Sequence, residues 1–83
     1  MPGRPGDPPA ETARTAARHV LGDYRDGLLS LEALIAWAEQ LEASSPPDPW
    51  LRRTAQSLAD PLLCHERAMA FVRDLLEASP GAR

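Results

Sequence analysis

The stretch DPLLCHERAMAFVRDLLEAS, Asp60 to Ser79, constrains the chain most strongly. At about 100° per residue, Leu62, Cys64, His65, Ala68, Met69, Phe71, Val72, Leu75 and Leu76 cover one half of a helical cylinder. Charged residues, Glu66, Arg67, Arg73, Asp74 and Glu77, fall on the other half. One neighbouring helix does not cover so wide an apolar arc, so at least two others must pack around it. Asp60 and Pro61 read as its start: the aspartate accepts an orphan N–H as N-cap, and proline at the first helical position has no N–H to leave unpaired.

Upstream, the helical period recurs in three more segments. One helix is expected from Ala10 to about Arg25, with Ala13, Ala16, Ala17, Val20, Leu21 and Tyr24 inward. That face is mostly alanine, which allows close approach but little burial. Gly27 supplies a left-handed stop. Ser30 caps a second helix running to about Ala43, with Leu29 and Leu34 at the positions of a hydrophobic staple and Glu32 in the first turn, where the helix dipole favours it. The link from Asp26 to Ser30 is short, which predicts a hairpin of antiparallel neighbours. SSPPDP, Ser44 to Pro49, is the clearest break in the chain, and Asp48 and Pro49 then open a short third helix containing Trp50, Leu51, Ala55 and Leu58. Pro61 disfavours helical geometry at Asp60, so the third and fourth helices are read as separated by a sharp bend rather than as one kinked helix. No strand pattern and no internal repeat is found.

The fold expected is all-α: a small compact bundle of three main helices plus one short helix. Its core is Leu28, Leu31, Leu34, Ile35, Leu41, Leu51, Leu58, Leu62, Met69, Val72 and Leu76. Residues 10–79 form the single domain, between a disordered N-terminal tail (1–9), rich in proline and glycine, and a C-terminal tail (80–83). An 83-residue chain buries a modest core and is marginally stable.

Composition narrows the function classes. The formal charge of −3 weighs against nucleic acid as the main partner. All nine basic residues are arginine and asparagine is absent, which reads as codon usage in a GC-rich genome rather than as selection for arginine chemistry. The single cysteine excludes an internal disulfide, no apolar run approaches the roughly 18 residues of a membrane span, and the first residues lack the apolar segment of a signal peptide. A cytoplasmic protein without a membrane partner is expected.

No catalytic constellation emerges. Two histidines and one cysteine, scattered along the chain, fit no metal pattern, and no cofactor motif is present. His65, inside the apolar face of the last helix, is expected to be a buried, hydrogen-bonded structural residue, and Cys64 a small hydrophobe beside it. His19 and Asp23 stand at the spacing of a helical pair, but no nucleophile accompanies them. Arg14, Arg18 and Arg25 stand within about 40° of one another on the first helix. Their default role is to pair with Glu32, Glu39 and Glu42 across the hairpin.

Arg14 and His19 stand at the R-x4-H spacing found in a family of helical ribonucleases, in which arginine and histidine together handle a phosphodiester. The resemblance covers these two residues. It implies, as the alternative function, a small RNA-binding protein or ribonuclease using Arg14, Arg18 and His19. Tyr24 to Leu34, YRDGLLSLEAL, resembles helix–glycine–helix segments of small bacterial accessory proteins such as immunity proteins and antitoxins.

The first expectation is therefore a non-enzymatic module that binds another protein stoichiometrically. Homodimerisation is a further option. Trp37, Trp50, Arg14, Arg18 and Arg25 are its candidate partner-binding residues. Each tryptophan either covers a core edge or stands exposed as an interface residue.

Overall fold

A computed structural model describes residues 10–79, and these are all-helical: α1 (Ala10–Arg25), α2 (Leu31–Ala43), α3 (Pro49–Leu58) and α4 (His65–Glu77). No strand is present among the described residues. The tails expected at residues 1–9 and 80–83 lie outside them.

The stop of α1 and the starts of α2 and α3 follow from local capping chemistry. After α1 the chain closes a Schellman turn: Gly27 sits at φ 79°, the Leu28 N–H donates to the Asp23 carbonyl at 2.7 Å, and the Gly27 N–H donates to the Tyr24 carbonyl at 3.1 Å. Ser30 caps α2, its Oγ accepting the Ala33 N–H at 3.1 Å. Asp48 caps α3, its carboxylate accepting the Leu51 N–H at 3.0 Å, with Pro49 opening the helix.

The fourth start differs from expectation. Asp60 and Pro61 do not begin α4; they make a turn. The Asp60 carboxylate accepts the Leu62 N–H at 3.0 Å, and the Asp60 carbonyl accepts the Leu63 N–H at 3.0 Å. Aspartate followed by proline suits the first two positions of a β-turn as well as it suits a helix start. The helix begins only at His65, with Cys64 as N-cap and no side-chain capping bond. Residues 59–64 separate α3 from α4, so they are distinct helices.

Long-range hydrogen bonds give the direction of each helix. Tyr24, in the last turn of α1, bonds to His65, the first residue of α4. Arg18 of α1 donates to Ser79, just past the end of α4, at 3.1 Å. Trp50, at the start of α3, donates its indole N–H to the Leu75 carbonyl near the end of α4 at 3.0 Å. The helices therefore alternate in direction. The 26–30 and 59–64 links lie at one end of the molecule, and the 44–48 link lies at the other. The closest pairs are α2 with α3 and α1 with α4. Buried alanines, Ala38 and Ala55 in one pair and Ala17 and Ala68 in the other, permit that approach. The α1–α2 hairpin expected from the short link touches less extensively.

The core sits between these pairs. Leu21, Leu34, Leu58, Val72, Leu75 and Thr54 are fully buried, with Trp50, Leu51 and Leu63 beside them. Leu31, Ile35, Leu41, Met69 and Leu76 pack on its edge and are half-buried. Two leucines expected inside are outside: Leu28 is 75% and Leu62 88% exposed. In each case the turn sends the next residue inward instead. Leu29 packs against the core and Leu63 is buried.

Candidate functional site

The end of the molecule bearing the 26–30 and 59–64 links collects the least conventional side chains. The Tyr24 ring is buried between α1 and α4, and its hydroxyl meets Nδ1 of His65 at 2.5 Å. Burial pushes the Tyr24 phenol above its ordinary pKa, and the nearby Cys64 thiolate charge adds to the rise. The phenol is therefore protonated at neutral pH, and its hydroxyl is hydrogen-bonded to Nδ1 of the ring. His65 is exposed rather than buried among apolar side chains as expected. With α4 starting at His65, the residue lies at the helix mouth, where only Nδ1 is turned to a partner from α1. Cys64 is exposed too, not packed as a small hydrophobe, because it is the cap residue outside the helix. Leu28 and Leu62 complete this end, each held out by a hydrogen-bonded turn.

The arginine row of α1 is drawn apart. Arg14 donates to Asp48 at 2.6 Å, reaching the α3 cap rather than a glutamate of α2. Arg18 donates to Ser79 at 3.1 Å and to Thr15 at 3.0 Å. Arg25 pairs with the adjacent Asp26 at 3.1 Å. Arg18, His19, Asp23 and Arg25 share one shallow groove of about 290 Å³, formed where Gly22 leaves the helix backbone bare. Arg14 is not part of it. The ribonuclease-like trio is thus reduced to Arg18 and His19 in one place, with the Asp23 carboxylate in the same groove.

A second depression of about 320 Å³ lies at the opposite end, between Glu42, Pro46, Pro47 and Arg52. Of the two tryptophans, Trp50 covers the core: it is 6% exposed and its N–H is used within the fold. Trp37 packs against the core edge and is half-buried. Among the described residues no cluster of three or more His, Cys, Asp or Glu is placed to hold a metal ion, and no helix is long and apolar enough to cross a membrane.

Sequence reasoning missed the exposed leucines. A signal for one of them existed. A residue after a left-handed glycine lies outside the preceding helix, so the period that places apolar residues inward no longer applies to Leu28. Comparison of the chain with known protein families, with curated proteins and with solved structures gives no match.

Proposed function

We propose that the protein is a non-enzymatic interaction module that binds another protein stoichiometrically through the end carrying Leu28 and Leu62. On this reading it is a small bundle with α3 as its short member, a bacterial, cytoplasmic accessory of the immunity-protein or antitoxin kind. The observation that carries the proposal is the exposure of those two leucines, 75% and 88%, in a chain this short of core. Burying a leucine contributes about 1.5–3 kcal/mol. Covering both would contribute several of the roughly 8 kcal/mol that a micromolar complex requires. Hydrogen-bonded turns already hold both residues, so little ordering is needed on docking. Trp50 acts as core on this reading, and Trp37 is left as the tryptophan nearer to solvent.

The test is capture from a lysate of the source cells with the wild-type chain and with a Leu28→Ser/Leu62→Ser variant. Partners should be lost from the variant while its melting temperature stays close to the wild-type value. Undiminished capture by the variant would remove this surface from the binding function. Sedimentation at micromolar concentration separates a second copy of the chain from a different partner.

A second reading, RNA binding or cleavage, is favoured by Arg18 and His19 sharing one groove. It requires hydrolysis or retention of RNA by the purified protein that His19→Ala abolishes.

A further inference from the structure

We infer that the partner docking on the Leu28–Leu62 end is a basic amphipathic segment, with apolar anchors flanked by lysine or arginine. The inference rests on the binding reading above and adds the chemistry of the partner.

Charge at this end is one-sided. Asp26 follows α1, Glu32 lies in the first turn of α2, Asp60 lies in the turn before α4, and Glu66 lies in the first turn of α4. Asp26, Glu32 and Glu66 are exposed, and Asp60 is half-buried. The arginines close by do not balance them. Arg25 is taken up by Asp26 at 3.1 Å. Arg67 lies back along α4, its guanidinium 5.8 Å from the centre of the Phe71 ring. The Nδ1 of His65 is engaged by the Tyr24 hydroxyl. Among the described residues, Glu32, Asp60 and Glu66 form no ion pair.

Helix dipoles do not change the sign. The N-termini of α2 and α4 and the C-termini of α1 and α3 all lie at this end, so their partial charges largely cancel. What a partner meets at this end is two exposed leucines in a region whose charged groups are mostly carboxylates. An acidic or purely apolar partner would desolvate those carboxylates without compensation. A segment with leucine-like anchors and basic flanks fills both requirements. A second copy of this chain would bring the same carboxylates against themselves, which disfavours an end-to-end dimer.

The test uses two synthetic helical peptides of equal length and leucine spacing, one leucine–lysine and one leucine–glutamate, titrated into the isotopically labelled full chain and followed by amide NMR. The lysine peptide should shift the amides of Leu28, Glu32, Leu62 and Glu66 to saturation. Its affinity should fall about tenfold or more between low and high salt, as expected for screened charges. Glu32→Lys/Glu66→Lys should transfer the preference to the glutamate peptide. Leu28→Ser/Leu62→Ser should abolish binding of both. Equal binding of the two peptides, no binding of the lysine peptide, or lysine-peptide binding indifferent to the leucine variant would each overturn the inference. If the lysine peptide fails but capture from lysate still depends on Leu28 and Leu62, the binding surface stands and only the basic partner is wrong.

Discussion

Arg14 and Asp48, 34 residues apart, share a single carboxylate with the start of α3: Oδ1 of Asp48 accepts from Arg14 at 2.6 Å while Oδ2 accepts the Leu51 N–H at 3.0 Å. A local cap is thereby turned into a tertiary tie between α1 and α3. Asp48→Ala should lose both and cost about 1–2 kcal/mol, the upper part of the range for a cap. Asp48→Asn keeps a capping oxygen and loses only the ion pair, whose side chains are 26% and 9% exposed, so it should cost less than Asp48→Ala. Urea denaturation of the two variants checks the order. Equal losses would mean that the ion pair, not the cap, dominates.

Trp50 serves α4 in the same manner. The Leu75 carbonyl lies in the last turn, where helix carbonyls have no intrahelical donor, and the Trp50 indole N–H supplies one at 3.0 Å. Trp50→Phe should cost about 1–3 kcal/mol, since it leaves that buried carbonyl unpaired. In Trp37→Phe, where Trp50 is the sole tryptophan, emission should be blue-shifted and resist acrylamide quenching. Emission like that of free tryptophan would contradict the burial of Trp50.

The two described glycines should respond to alanine with opposite signs. Gly27 has φ 79°, so Gly27→Ala should destabilise by about 1–2 kcal/mol. Gly22 is inside α1, and an added Cβ would meet only the Arg25 guanidinium at 3.9 Å, so Gly22→Ala should stabilise by about 0.5–1 kcal/mol. Thermal melts of both variants decide the matter.

Alkaline pH should weaken the fold through Tyr24. Burial, with the Cys64 charge adding to it, raises the folded-state pKa above that of the unfolded chain. Above about pH 10 the unfolded state releases the phenol proton first, so the folded state holds the extra proton and stability falls as pH rises. Below that pH the contribution is complete. Tyr24→Phe should flatten the decline above about pH 10. A decline that persists unchanged in the variant would place its cause elsewhere.

What the sequence determined by itself is the set of elements whose signals are contained within four or five residues. Ser30 and Asp48 each need only the N–H three positions on, and Gly27 needs only its own freedom at positive φ. The start of α2, the start of α3 and the stop of α1 were therefore legible. Asp60–Pro61 was not, because the same dipeptide satisfies its neighbours equally well as a helix start or as a turn. Only tertiary packing chose between them. The turn puts Leu63 into the core and Leu62 into solvent, and it leaves His65 at the mouth of α4 within reach of Tyr24. The 27–29 turn makes the same choice between Leu28 and Leu29. Periodicity counts apolar residues, but one residue of offset at a turn exchanges inside for outside. The candidate binding surface consists of the residues so exchanged: Gly27 marks Leu28 in the sequence, but Leu62 stayed hidden until the helices were brought together.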